Sequence, residues 1–484
     1  MNQRKEALNQ SINVILSRYE SILPNVDQFR TVSLSPLPSV GWVNSLRASL
    51  ENVGDLLETR DFSPLAWCSN GFRVQEGGML GKTWLYRTGL IQVQEEVSML
   101  PVFALRPSPH DCVLDMCAAP GNKTAQLSVA MRNHGTIVAN DVQYQRLRAL
   151  GQITQRLGLV NINFHVGDGT SLSCKKPVFD KILVDAPCSC EGTFRKGNGR
   201  VISSHQAQST HMASTQIALL KKAMQLLKPG GRMVYSTCTF APEENECVVD
   251  SILKQFEGEL ELKDIDIPHF KFEPGITEWQ GRALSPELKK TWRIWPHLNN
   301  TGGFYIALFE KKGGAVDEPI EMRADLRFEH DSGVDSMVKD AMKVFGLSQD
   351  DREQFVYYKT SNRGIYASHK SNLALYRNAL SSFNFDAMGL FFLKTKIRYP
   401  KLSSAASLLV GPYATKSMVS LDAEQLQSYL EKRDVLLKPS QRTACKKTGY
   451  VIVKHRGFVV GQGLLFQREE HQEWPMRSLF PGYW

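Results

Sequence analysis

No stretch of the 484-residue chain approaches the roughly 18 consecutive apolar residues that would span a bilayer. The opening MNQRKEALNQ is polar and has no apolar core of the kind a secretory leader carries. Nine cysteines stand at irregular spacings, with no repeated CxxC pair and no His–Cys cluster of zinc type. A disulfide scaffold and a metal site are therefore not expected. Internal repeats and low-complexity tracts are also missing. Together these absences predict an intracellular protein without a membrane anchor, cytoplasmic, with the nucleus left open in a eukaryote. Its thiols stay reduced, free to fill cores or to act as nucleophiles.

What is present points to an ordinary folded protein with 42% hydrophobic and 22% charged residues. The length exceeds what one hydrophobic core organises, so two to four domains are expected. Lys and Arg number 58 against 49 Asp and Glu, a net charge of +9. An excess of that sign suits a polyanionic partner, because cations on one face release counterions from phosphates.

A helical start (Ala7 to Ile22) precedes SVGWVNSLRASLENVGDLLE, which reads as a strand followed by a helix. QVQEEVSMLPVFAL, from Gln92 to Leu105, reads as an amphipathic helix. Then CVLDMCA, GTIVAND, NINFHVGD, FDKILVDAPC and RMVYSTCT read as strands separated by helical segments, with GGFYIALFEKK as a late strand. Continuous apolar strands alternating with helices predict an α/β fold with a parallel sheet covered on both faces. GGAVDEP after Lys312 reads as a linker. Beyond it come a helix (Asp335 to Phe345), the short-strand patterns FVYYKTSNRGIYAS and AMGLFFLKTK, and GYVIVKHRGFVVGQGLLF. The last is two alternating strands around a turn at Arg456–Gly457, typical of a small β-barrel. Basic residues interleave with aromatics here: Lys394, Lys396, Arg398, Lys401, Lys446, Lys447, Lys454 and Arg456.

The strongest local signal is VLDMCAAPGNKT, where a strand ends at Asp115 and a tight turn with Pro120 and Gly121 opens a helix. Open α/β sheets bind ligands at the carboxyl ends of their strands. Acids recur at the following strand ends, namely Asp141, Asp168 and Asp185. Four carboxylates along one edge do not suit a phosphate-rich dinucleotide. They suit a cofactor with an amino acid moiety, a ribose and a sulfonium: Asp141 for the ribose hydroxyls, Asp168 where an adenine amine falls. A single such acid is more often a helix cap. DAPCSCEG puts Cys188 after a proline, and YSTCTFAPEENE puts Cys238 at the end of the next strand. A thiolate added at carbon 6 of cytosine makes carbon 5 nucleophilic, so two cysteines at adjacent strand ends match a chemistry with an adduct to form and to break. One buried cysteine alone is more often packing, the reading given to Cys112, Cys117, Cys174 and Cys247.

Together QEEVSML (94–100), DMCAAPGNK (115–123), AND (139–141), GDG (167–169), DAPCS (185–189), RK (195–196), GGRMVYSTCT (230–239) and PEENE (242–246) resemble the RNA (cytosine-5) methyltransferase family, often called NOP2/Sun, from about Gln92 to Lys312. The resemblance implies a Rossmann-like S-adenosylmethionine-dependent core. In that core Cys117, Ala118, Ala119, Pro120, Gly121, Asn122 and Lys123 hold the methionine end of the cofactor, and Asp141, Asp168 and Asp185 complete the site. It makes Cys238 the nucleophile, Cys188 the residue that assists product release, and Asp185 and Lys123 contacts to the base. It also implies a division into an N-terminal RNA-binding region (1–90), a catalytic domain (91–313), an α+β subdomain (320–400) and a PUA-like barrel (401–484). The expected product is 5-methylcytosine in structured RNA, with tRNA favoured by GITEWQ and RIWPHLNNTGGFYIALFEK and small-subunit rRNA as the alternative, made by a monomer. A silent RNA-binding or assembly factor is the other class of reading, and an enzyme acting on DNA or an exocyclic nitrogen a third. Two departures stand out. Asn122 replaces the family's Gly or Ser in the cofactor turn, where left-handed backbone is expected, and Cys190 replaces Gly after Pro-Cys-Ser. If residue 190 needs positive φ, a cysteine there costs about 1–2 kcal/mol.

Overall fold

The computed structural model of the chain describes residues 2–57, 61–74, 79–174, 176–196, 206–313, 332–348, 350, 354–361, 364–372, 383, 385–395, 401–442, 445, 448–466 and 474–482. Lys396, Arg398, Lys446, Lys447 and most of the GGAVDEP segment lie outside the described residues. The chain opens with helix Asn2–Tyr19 and a 3-10 turn, Glu20–Ile22. Asn25 then caps helix Val26–Leu34 by accepting a hydrogen bond from Gln28 N–H. Four antiparallel strands follow: β1 (Ser39–Val43), β2 (Phe62–Leu65), β3 (Cys68–Val74) and β4 (Ile91–Val93), in the spatial order β2-β3-β1-β4. β1 leads into helix Leu50–Leu56, which starts on a Ser49–Asn52 capping box.

The amphipathic helix expected over Gln92–Leu105 does not form as one element. Its start is β4, captured by β1 with Trp42 opposite Gln92. A 3-10 turn (Glu96–Met99) follows, and only Leu100–Leu105 is α-helical, with Pro101 in its first turn. Tertiary hydrogen bonds override the helical periodicity: Trp42 Nε1–H donates to Gln94 at 2.8 Å and Trp67 Nε1–H to Glu96 at 2.9 Å.

The central sheet is built on five parallel strands, β5 (Cys112–Asp115), β6 (Thr136–Asp141), β7 (Ile162–Val166), β8 (Phe179–Asp185) and β9 (Leu227–Thr237). Their order is β7-β6-β5-β8-β9. Val113, Leu114, Val138, Ile182 and Val234 are fully buried, as a sheet covered on both faces requires. Beyond β9 run the antiparallel strands Phe304–Lys311, Trp292–Ile294 and Glu273–Pro274. This is the mixed, Rossmann-like sheet of the expected fold class. Chain order reverses between β5 and β8, so their carboxyl ends flank the crevice where such sheets bind ligands. The N-terminal helices pack on this unit through an aromatic cluster of Tyr19, Phe29, Phe194, Phe240 and Trp295, with Phe240 and Trp295 stacked at 4.8 Å.

Past the central sheet, helix Ser332–Lys343 packs on a four-stranded antiparallel sheet (Phe355–Ser361, Gly364–His369, Leu390–Lys394, Lys401–Leu402). The last sheet has five strands, Met418–Leu421, Gly449–His455, Phe458–Leu465, Pro475–Ser478 and Val435–Leu436 in spatial order. Among the described residues its two outer strands are not paired with each other, so it stands as an open sheet. A two-residue strand, Ala387–Met388, leaves the C-terminal region to pair antiparallel with β7. No helix among the described residues is long and apolar enough to cross a membrane.

The C-terminal region is fastened to the central sheet by a buried amide pair. Asn163 Nδ2 donates to Asn372 Oδ1 at 2.6 Å and Asn372 Nδ2 returns to Asn163 Oδ1 at 2.9 Å. Asn372→Ala leaves the Asn163 amide buried without this partner and is expected to cost about 1–3 kcal/mol. The measurement is the urea midpoint, and a midpoint equal to that of the parent chain would show that the pair contributes nothing.

Candidate active site at the carboxyl edge of the sheet

A cavity of about 570 Å³ opens where β5, β6, β7, β8 and β9 end. Asp115, Asp141 and Asp185 are the last residues of β5, β6 and β8, and Asp168 lies just past β7. All four line the cavity, together with the whole turn Cys117–Lys123. In that turn the left-handed residue is Gly121 (φ +113°), not Asn122. A Cβ at residue 121 would meet the Leu150 side chain at 2.4 Å, so glycine is required for both backbone and space. Asn122 is the first residue of helix Asn122–Ala130, and its Oδ1 accepts from Gln92 Nε2 at 2.6 Å. The expectation of left-handed backbone at Asn122 is thereby corrected.

The acids are oriented by different partners. Asp115 is buried and accepts from Thr124 Oγ1 at 2.7 Å; burial pushes its carboxyl up to about 7. Asp141 accepts from Ala119 N–H at 3.1 Å and Gln143 N–H at 3.0 Å, and Arg146 lies 3.6 Å away. Asp168 caps the 3-10 turn Gly169–Ser171 by accepting from Thr170 N–H at 2.9 Å. It is thus both a cap and a cavity wall. Asp185 accepts from Lys123 Nζ at 2.6 Å and from Ser236 Oγ at 2.7 Å. Burial works against the Lys123 charge, but the Asp185 carboxylate outweighs it and holds the ammonium above its ordinary pKa.

At the lip of the cavity the Cys188 and Cys238 sulfurs are 3.4 Å apart. Two chain segments are laced to bring them there. Gly192 N–H donates to Cys238 O at 2.8 Å, Ala186 N–H to Ser236 O at 3.0 Å, and the Ser189 and Thr239 hydroxyls meet at 2.6 Å. Cys190 adds a third sulfur 3.9 Å from Cys188, on left-handed backbone (φ +60°). The strain expected of a non-glycine residue there is therefore present. As a thiol Cys190 donates to the Cys188 carbonyl at 3.3 Å. Ionised, it takes S–H bonds from Cys188 and Cys238, which holds its pKa down and keeps those two thiols raised.

Several residues that sequence reasoning missed hold this arrangement. Glu191 is buried and accepts from Tyr19 OH, Thr239 Oγ1 and Phe240 N–H, which ties the first helix to the cysteine loop. Glu244 accepts from Ser189 N–H and Gln216 Nε2, both at 3.0 Å. Glu246 is paired with buried Arg293. Arg195 is buried: it donates to Thr301 O at 2.6 Å and to Asn300 Oδ1 at 2.7 Å, and burial lowers it to about 10. The polar run PEENE was the one available signal, since two of its acids prove to be buried behind the loops.

Residues 102–310 match a family model described as 16S rRNA methyltransferase RsmB/F. Over 311 residues the chain is 37% identical to the tRNA (cytosine(49)-C(5))-methyltransferase of Pyrococcus abyssi, covering 63% of this chain and 98% of that protein. Similarity to the ribosomal RNA small subunit methyltransferase F of Vibrio parahaemolyticus is 29% over 468 residues, covering 93% of this chain and 94% of the relative. A solved methyltransferase homolog from Pyrococcus horikoshii aligns with a TM-score of 0.54 at 33% identity, covering 63% of this chain and 99% of that one.

The buried carboxyl of Asp115 couples folding to pH. It titrates near 7 when folded, because of burial, and near about 3.9 when unfolded. Between these values the folded chain holds the extra proton, so this group makes stability fall as pH rises through the window. Asp115→Asn removes that dependence. The variant is expected to gain stability relative to the parent as pH goes from about 4 to about 8, measured by denaturant titration; a pH-independent difference would show that Asp115 is ionised throughout.

Proposed function

Because the chain belongs to the RNA (cytosine-5) methyltransferase family, NOP2/Sun, we propose that it forms 5-methylcytosine in RNA, with Cys238 as the nucleophile and Cys188 as the residue that releases the product. The observation that carries a two-cysteine mechanism is the 3.4 Å approach of two thiols at the lip of an acid-lined cavity, and the division between them follows the family's Thr-Cys motif. Bound S-adenosylmethionine supplies an electrophilic methyl group. The residues fit that cofactor: a backbone turn at Cys117–Lys123 for its amino acid end, Asp141 for ribose hydroxyls and Asp168 for the adenine edge. A diphosphate would meet four carboxylates and be repelled.

The target cytosine must leave its stack, because carbon 6 is out of reach inside a helix. Cys238 Sγ, as thiolate, would bond to carbon 6 and move an electron pair to carbon 5, making it nucleophilic toward the methyl group that the cofactor would supply when held by Cys117–Lys123, Asp141 and Asp168. Transfer of the carbon 5 proton to solvent would then restore the double bond and expel the Cys238 thiolate. Cys188 assists this last step in our reading, a role supported by its sulfur lying 3.4 Å from that of Cys238. Lys123 and Asp185, fixed on each other and on Ser236, are the contacts to the base edge.

We read the substrate as small-subunit rRNA rather than the tRNA favoured by the core motifs. Support comes from the relative of that activity, which matches over 93% of the chain, including the C-terminal sheets. The tRNA enzyme resembles the core more strongly, at 37% identity, but over 63% of the chain. In this reading residues 1–90 and 320–484 hold RNA around the catalytic unit 91–313, and the terminal five-stranded sheet works as a PUA-like module with Lys454 and Arg456 toward phosphate.

Cys238→Ala is expected to lower tritium transfer from labelled cofactor to RNA by at least about a thousandfold while cofactor binding persists. Cys188→Ala is expected to accumulate a covalent protein–RNA species, seen as a retarded band on a denaturing gel. Normal turnover of the Cys188 variant would refute the assignment of release to that residue. Small-subunit rRNA and tRNA from a strain lacking the gene, offered in parallel, decide between the two substrates.

A further inference from the structure

Among the described residues, one group of three potential metal ligands converges: Cys188, Cys190 and Cys238, with all three sulfurs within 4.8 Å of one another. Nothing in the methyl-transfer chemistry uses the third sulfur. Cys190 sits on strained left-handed backbone that a glycine would occupy freely, and the bend brings its sulfur beside Cys188. Four thiolates at about 2.3 Å around a tetrahedral zinc ion are separated by edges of about 3.8 Å. The Cys188–Cys238 and Cys188–Cys190 separations, 3.4 and 3.9 Å, bracket that edge.

We propose that Cys188, Cys190 and Cys238 form a three-sulfur site for a thiophilic metal ion such as Zn²⁺, whose fourth position faces the cavity and whose binding withdraws Cys238 from catalysis. Soft thiolates select ions of this kind over Mg²⁺ or Ca²⁺. The site is reachable, because Cys190 is exposed and all three residues line the open cavity. It is also compatible in charge. Three thiolates around a divalent ion leave one negative charge, and Lys196 and Arg146 lie close enough to favour the Cys190 thiolate. Each thiol must lose its proton to bind, so the metal displaces protons and binds more tightly as pH rises. The effect is reversible, since no covalent bond is made and a chelator removes the ion.

The inhibitory consequence rests on Cys238 being the nucleophile, whereas the metal site does not, so two readouts separate them. The first is titration of the full chain with Cd²⁺, followed by the ultraviolet cadmium–thiolate charge-transfer band. One equivalent is expected to bind to the parent chain and to Cys174→Ala, a cysteine outside the group. Cys190→Gly keeps the backbone conformation and is expected to bind at least about a hundredfold more weakly. The second readout is tritium transfer with and without stoichiometric Zn²⁺. The parent chain is expected to be inhibited at least tenfold and restored by chelator, and Cys190→Gly to resist the same dose. Equal Cd²⁺ affinity in the parent chain and Cys190→Gly, or loss of binding in Cys174→Ala, overturns the site. A band lost in Cys190→Gly without zinc inhibition of the parent keeps the site and overturns the role of Cys238.

Discussion

The chemistry of this chain depends on two loops being held in register across the ends of β8 and β9. Gly192 N–H on Cys238 O, Ser189 against Thr239 and Ser189 N–H on Glu244 do this without a covalent link. Each of these bonds contributes about 0.5–1.5 kcal/mol on its own. Their common effect is positional, because they set the distance between the sulfurs to 3.4 Å. Buried carboxylates supply the acceptors. Glu191 gives up hydration and is compensated by hydroxyl and backbone donors, whereas Glu244 takes both of its donors on Oε2 and leaves Oε1 buried without a partner.

The same bonds carry the N-terminal helix into the site. Tyr19 reaches Glu191 and Arg18 reaches Glu243, from positions more than 170 residues away in sequence. The region expected to handle RNA is therefore also a wall of the catalytic loops. Movement of that helix and of the loop that carries Cys188 cannot be independent, since both share one buried carboxylate.

Much of the central unit was legible from residue order. Apolar strands punctuated by Asp115, Asp141 and Asp185 specify a parallel sheet with acids at one edge, and period and composition suffice for that. Cys188 and Cys238 were legible because each follows a strand-ending motif. What failed shares one cause: it depended on contacts between distant segments. Gln92–Leu105 has helical periodicity, yet β1 and the indoles of Trp42 and Trp67 claim its polar groups. Arg195 is visible in sequence only as part of the RK motif, yet it is buried among carbonyls contributed by residues 35 and 301. The left-handed residue of the cofactor turn was displaced by one position, because the collision with Leu150 that demands glycine at 121 comes from another helix. The three-sulfur cluster has no recognisable spacing either, since one member arrives from β9.

The short strand Ala387–Met388 closes the β7 edge of the central sheet. By pairing with β7 it takes up backbone amides and carbonyls that would otherwise face water at the rim of the sheet. A polypeptide ending before it keeps every residue of the cavity but presents β7 as a raw border, the kind of surface that recruits strands from other molecules. The tail of this protein thus covers an edge that would otherwise stand open to pairing.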